Sequence, residues 1–228
     1  MINTRKLLAD TKFYESYSRF DDALGRYESW DESVHRVMQM HAKKYNHVSN
    51  PELFKHFTFA SRAYKDQLVL GAQRALQFGG SQLEKHNIKM YNCVSSYADR
   101  PEFFQEFMYM LLCGAGAGFS VQTHHVARLP DIEYRSDVQA EVFKPKDSIE
   151  GWADCVGVLV SSYLAEDPVF EQYWGKKVYF DLTGIRPKGA MISGGFKAPG
   201  PEPLRKALVK IESLIEARLN EGEHRLRT

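Results

Sequence analysis

The sequence predicts an α/β fold, with a helical region over residues 1–87 followed by alternating strands and helices over residues 88–228. Three observations carry this. Up to residue 87, apolar positions recur at helical spacing behind identifiable start signals. From Ile88 onward, short strand-like runs alternate with helical ones. Gly114 to Gly118 then marks a stretch of backbone that bulky side chains do not line.

The totals bound the function. With 228 residues and 43% hydrophobic content, the chain supports a core of ordinary domain size. Its net charge of +1, from 30 basic and 29 acidic residues, excludes a whole-chain electrostatic case for nucleic acid or membrane binding. No run reaches the ~18 apolar residues of a membrane helix, and no signal-peptide apolar segment follows the N-terminus. The expectation is a cytoplasmic protein. Its three cysteines, Cys93, Cys113 and Cys155, match no C-x-x-C redox or zinc spacing.

Taken in order, Phe13 to Tyr27 is rich in aromatics without a clean period and reads as an extended or irregular lead-in. Ser29 with Glu32 fits a capping box. Behind it Trp30, Val34, Val37, Met38, His41 and Tyr45 trace one helix face. Asn50-Pro51 opens the next helical region, with Leu53, Phe54 and Phe57 packing inward. A further helix is expected from about Ala63 to Gln77, carrying Leu68 and Leu70 and ending at Gly79-Gly80.

Ile88 to Ser95 alternates weakly and reads as a strand, with Cys93 near its end. Glu102 to Cys113 is apolar on most faces, the pattern of a buried helix. Phe119-Ser120-Val121 starts another strand. Leu129 to Pro145 reads as a surface loop or hairpin. Asp147-Ser148 begins a helix with a broad apolar face, Lys177 to Leu182 is a short strand, and Pro199 to Pro203 leads an amphipathic last helix. No internal repeat is visible. About three strands in this region are too few to close a barrel.

Gly114 to Gly118 fails the dinucleotide fingerprint, because Phe119 stands where the third glycine belongs. Tight turn packing and close approach to a ligand explain it equally. Gly189 to Gly194 starts like a P-loop, but Gly195 and Phe196 replace the required Lys and Ser/Thr. Flanked by Arg186, Lys188 and Lys197, this loop suits either a phosphate or a plain connector. His124-His125 has no partner at ligand spacing, and adjacent histidines on a strand point opposite ways, so no metal site is expected. Cys113 and Cys155 sit on apolar helical faces, where burial keeps a thiol inert. Cys93 has polar neighbours, and a redox role for it needs a second thiol from outside this chain.

Five motifs in order resemble one family. Phe13 to Arg19, Arg26 to Arg36, Asn92-Cys93, Gly114 to Val121 and the Arg186-Pro187-Lys188-Gly189 to Pro201-Glu202-Pro203-Leu204 stretch are similar to the N-terminal half of a ribonucleotide reductase catalytic subunit. The ordered set is closest to the adenosylcobalamin-dependent (class II), ribonucleoside-triphosphate reductase-like branch. The resemblance implies an N-terminal helical region followed by the first half of a ten-stranded α/β barrel. It implies that Cys93 is one member of a redox pair that becomes a disulfide while reducing the ribose. Asn92, Gly114, Gly116 and Gly118 would lie along the ribonucleotide substrate. Lys188, Gly189, Ser193, Gly194, Gly195 and Lys197 would form the specificity loop answering a deoxynucleotide effector.

The same resemblance implies adenosylcobalamin as cofactor and a thioredoxin-like reductant. It also implies a C-terminal half carrying the radical cysteine, the second redox cysteine and most of the cobalamin surface. The family's N-terminal ATP-cone is expected to be absent. A chain ending at Thr228 is expected to act only with that half, as a split enzyme or an interrupted gene. The alternative is a non-catalytic nucleotide-binding or regulatory remnant of the same fold.

Overall fold

The computed structural model describes residues 4–192 and 196–226, Phe196 by its backbone alone. It divides into two compact units. The first holds residues 4–92 together with Ile192 and Phe196, and the second holds residues 93–191 and 197–226.

The first unit is helical. α1 (Thr4–Ser16) replaces the expected irregular lead-in as far as Ser16. It is followed by a two-residue antiparallel ribbon of β1 (Phe20–Asp21) and β2 (Arg26–Tyr27), turned at Gly25 with φ 64°. α2 (Trp30–Lys44) begins at the predicted capping box. Glu32 N–H donates to Ser29 Oγ at 3.3 Å, and Ser29 N–H donates to the Glu32 carboxylate at 2.7 Å.

α3 (Pro51–Lys65) starts from Asn50, whose side chain accepts from Glu52 N–H at 3.0 Å. The expected helix from Ala63 to Gln77 does not form as one piece. α3 stops at Lys65, Gln67 takes a positive φ of 57°, and Leu68 and Leu70 are exposed. The chain resumes with α4 (Gln73–Phe78) and α5 (Ser81–Lys85), joined through Gly80 at φ 89°. Apolar content placed Leu68 and Leu70 on a helix face, but the turn at Gln67 takes them off it. Val34, Val37, Tyr64, Ala75 and Leu76 form the unit's core.

The second unit contains two parallel strand–helix–strand units. β3 (Cys93–Tyr97), α6 (Phe103–Leu112) and β4 (Gly116–Ser120) make the first. β5 (Ser136–Phe143), α8 (Ile149–Ser161) and β6 (Lys176–Phe180) make the second. Between them lies the one-turn α7 (Thr123–Val126).

A 3₁₀ turn at Asn87–Met90 occupies the start of the predicted strand, so Cys93 begins β3 rather than ending it. The glycine run lies largely within β4, and His124 and His125 sit on α7, not on a strand. Residues 129–145 include a parallel strand, β5, in place of a loop or hairpin. Val138, Ala140 and Val142 alternate with Asp137, Gln139 and Glu141, and it is this apolar face that is exposed, so the pattern does not mark a buried face. α6, read as a buried helix, buries only Phe103 fully.

α8 is the buried helix. Ser148 caps it, accepting from Gly151 N–H at 3.1 Å, and nine of its residues are buried. It packs with the last helix, α9 (Glu202–Asn220), through Val156, Leu159, Val160, Leu204, Leu208 and Ile215. A last short strand pair, β7 (Met191–Ile192) and β8 (Phe196–Lys197), precedes α9. The described strands form four separate two-stranded sheets, not a closed barrel. Among the described residues no helix is long and apolar enough to cross a membrane.

Candidate functional site

Cys93 is the exposed thiol of the three, while Cys113 and Cys155 are buried. Burial pushes the Cys155 thiol up to about 12, with the nearby Asp154 charge adding to the effect, so it stays protonated and unreactive. The difference arises from position. Cys155 is enclosed on α8, whereas Cys93 opens a strand that is covered on one side only.

The register of the first parallel pair defines the site. Cys93 lies opposite Gly116, Ser95 opposite Gly118 and Tyr97 opposite Ser120. Side chains alternate across a strand, so these six positions share one face. Val94, Ser96, Ala117 and Phe119 share the other. There the Phe119 ring packs 4.8 Å from Phe107 and 5.3 Å from Phe103 on α6, which holds the helix against that side. The Cys93 face is open. Ser95, Gly116 and Gly118 are exposed, and Tyr97 is 53% exposed.

The glycines of the run do different work. Gly114 takes φ 83° after the C-terminus of α6, donating to Leu111 O at 2.9 Å while Ala115 N–H reaches Met110 O at 3.1 Å. This is a Schellman cap, and it accounts for Gly114 without a ligand. Gly118 has no such reason. Its backbone is that of a strand, and a Cβ built on it meets nothing within 4 Å. Nothing in the described chain fills the space that a side chain there would take.

At the C-terminal ends of the two strands this face is closed by α7. The His125 Nδ1 lies 2.9 Å from Ser120 Oγ, and its ring lies 4.6 Å from that of Tyr97. The His124 ring lies 4.0 Å from that of His125, tilted by 53°. Sequence reading missed this group. There His124 and His125 are weighed only as metal ligands, and no sequence signal folds α7 back onto Ser120.

Asn92, next to Cys93 in the chain, groups with the first unit, where its side-chain oxygen accepts from Arg74 Nε at 2.6 Å. The predicted specificity loop has a built neck. Gly189 N–H donates to Ala198 O at 2.8 Å, and Ala198 N–H donates to Ala190 O at 2.7 Å. Gly189 takes φ 90°. Gly200 approaches so closely that a Cβ there would sit 2.9 Å from Lys188 N. Arg186 is held by Asp147 at 2.6 Å. Lys188 and Lys197 are exposed, while Ser193, Gly194 and Gly195 lie outside the described residues.

No family model matches the chain. Curated relatives do. It is 26% identical over 274 residues to the adenosylcobalamin-dependent ribonucleoside-triphosphate reductase of Lacticaseibacillus paracasei, covering 93% of this chain and 36% of that protein. It is 26% identical over 262 residues to the protein of that name from Lactobacillus leichmannii, covering 89% of this chain and 35% of that one. The crystal structure of a B12-dependent (class II) ribonucleotide reductase superposes with a TM-score of 0.75 at 23% identity, over 95% of this chain and 38% of that one. This chain therefore spans about a third of the length of its curated relatives. Along nearly its whole length it is similar, as its motifs imply, to the adenosylcobalamin-dependent ribonucleoside-triphosphate reductases, and it carries the fold of a class II ribonucleotide reductase over that portion.

Proposed function

We propose that this chain supplies one wall of the substrate site of a ribonucleotide reductase acting on ribonucleoside triphosphates, with Cys93 as one thiol of the reducing pair. The observation that carries the reading is the Cys93 face of β3 and β4: an exposed thiol in register with Gly116, beside a Gly118 where an added Cβ would meet nothing within 4 Å. A ribose laid along Gly116 and Gly118 comes within reach of the thiol with no side chain between. The opposite wall, with the second thiol and the radical cysteine, is assigned to the remainder of the relatives' length. In this reading residues 88–228 make the first half of a ten-stranded barrel, behind a helical region over residues 1–87. The two parallel strand–helix–strand units support it.

A thiyl on the complementary part takes the 3′-hydrogen, the 2′-hydroxyl leaves as water, and the 3′-hydrogen is returned. Cys93 and the second thiol supply two electrons and two protons and become a disulfide. A thioredoxin-like dithiol reduces that disulfide for the next turnover. The relatives are named for adenosylcobalamin. Between Cys93 and Tyr97 the face offers one side-chain hydroxyl, that of Ser95, and no charge, too few polar groups to hold a corrin, and no step is routed through that cofactor. Lys188, Gly189 and Lys197 sit on the neck of the proposed effector loop, and Asn92 adjoins the reducing thiol.

The test pairs this chain with a polypeptide covering the remainder of the reductase and measures deoxynucleotide formation. Cys93→Ser is expected to abolish multiple turnover with a dithiol reductant, and Cys155→Ala to leave it. Equal, mild effects of both changes would remove Cys93 from the mechanism. A second reading, a nucleotide-binding protein without catalysis, is favoured by the loop neck, which residues 188–190 and 198–200 close. It expects deoxynucleotide binding by calorimetry and no turnover with any complement.

A further inference from the structure

We propose that Arg74 is a positioning residue for Cys93, acting through the side chain of Asn92 to fix the direction in which the chain enters β3. This rests on Cys93 being one of the reducing thiols.

β3 holds the thiol from one side only. Cys93 is its first residue, placed opposite Gly116, and the ladder runs on from there to Tyr97. Behind it, Tyr91 N–H closes the 3₁₀ turn on Ile88 O at 3.0 Å, and Asn92 lies between turn and strand, in neither. Tyr91 is 60% exposed and Asn92 is exposed, so packing does not hold this joint. A hydrogen bond does. Arg74 Nε donates to Asn92 Oδ1 at 2.6 Å, a charge-assisted bond of the stronger class.

The donor stands on a fixed base. Arg74 belongs to α4, whose Ala75 and Leu76 are buried in the core of the first unit. Two arginines from outside α4 take up the carbonyls at its end. Gln77 O accepts from Arg19 Nε and Nη2 at 3.2 and 3.0 Å, and Leu76 O accepts from Arg36 at 2.9 Å. The Arg74 guanidinium lies 5.4 Å from the Phe78 ring centroid, one turn along the same helix, which orients its flat face. Lys89 lies over that ring at 5.5 Å and donates to Gln82 at 3.2 Å. A reacting group displaced by roughly 1 Å loses up to about a hundredfold in rate, so the residue before a reducing thiol is a place where one bond matters. The competing account is a surface bond that adds only to the stability of the first unit.

Arg74→Gln, Lys89→Gln, Asn92→Ala and the Arg74→Gln, Asn92→Ala double variant are compared. The 228-residue chain alone is read by backbone NMR relaxation, and its pair with the remainder of the reductase by steady-state kinetics. The order parameter of Cys93 is expected near ~0.85, falling toward ~0.6 in Arg74→Gln and Asn92→Ala but not in Lys89→Gln. In the pair, Arg74→Gln should lower kcat about tenfold with KM unchanged, and should add nothing further in the Asn92→Ala protein. A Cys93 order parameter unmoved by Arg74→Gln overturns the positioning role, whether or not the pair turns over. A kcat loss matched by Lys89→Gln overturns it too, as does a raised KM at unchanged kcat, which belongs to substrate binding. So does an Arg74→Gln effect that persists in full without the Asn92 side chain. Undiminished turnover in Cys93→Ser overturns the reducing role of the thiol itself, and the positioning proposal with it, even where the order parameter falls.

Discussion

Gly114 and Gly118 stand in one short run and answer to different constraints. Gly114 is held at φ 83° by the cap of α6, so a side chain there strains the backbone. Gly118 has ordinary strand geometry and open space where its Cβ would be. Gly118→Val should therefore fold with stability unchanged or slightly raised, since a β-branched residue suits a strand better than glycine by up to ~1 kcal/mol. The same change should abolish nucleotide protection of Cys93 from alkylation. A melting curve and an alkylation time course check both halves of this expectation. Cys155 offers the contrast at the same scale. Its thiol is buried among Val156, Leu159 and the α9 side chains. Cys155→Ala should cost stability on the order of 1 kcal/mol through the small cavity it leaves, with no loss of turnover in the complemented enzyme.

The elements behind the face keep it in shape. α8 approaches α6 at Gly157, where an added Cβ would sit 2.7 Å from the Phe170 ring and 3.2 Å from Gln105 Cβ. The Gln105 side chain also donates to Asp154 across the same contact. Gly157→Ala should cost about 1–3 kcal/mol by overpacking and appear as a lowered denaturation midpoint. In the first unit α2 is tied to the turn before it by Glu28, which accepts from Arg36 at 2.7 and 2.8 Å and from Ser33 at 2.8 Å. Burial raises the Glu28 carboxyl, but the Arg36 and Ser33 hydrogen bonds outweigh it and hold the group below its usual range. A depressed folded value means the stabilisation is complete above the unfolded carboxylate range near ~4.3 and is lost as pH falls through the folded value. Glu28→Gln should lower stability at pH 7 and flatten the loss of stability below about pH 4. Denaturation at both pH values measures this.

At the scale of the molecule, both parallel pairs of the second unit are covered by helices on one side only. Val138 is 93% exposed and Val142 62% exposed on the bare side of β5, as Tyr97 is on that of β3. Parallel sheets in stable domains are covered on both faces. On the proposed function, the remainder of the reductase covers them. Adding that polypeptide should slow amide exchange in β3 and β5 and lower the binding of a hydrophobic dye. Unchanged exchange would count against a barrel completed by the partner.

The sequence by itself determined three of the helix starts. Ser29 with Glu32, Asn50 with Pro51, and Ser148 are local signals, satisfied by hydrogen bonds within three residues, and each begins a helix where it was read. It also separated an exposed thiol from two buried ones, because apolar neighbours at helical spacing report burial directly. Only the tertiary structure decided the rest. The alternating apolar residues of β5, Val138, Ala140 and Val142, lie on its bare side, and its parallel partner β6 comes from the far side of α8. The site depends on the same long-range pairing. Cys93 faces Gly116 and Gly118 because β3 and β4 meet in one register, and His125 reaches Ser120 because a single helical turn folds back. A register shifted by one residue would turn Ala117 and Phe119 to the thiol's side, and neighbouring residues in the chain carry no energy that separates the two arrangements. That choice is made by Phe119 packing on Phe103 and Phe107, a contact between segments that meet only in the folded chain.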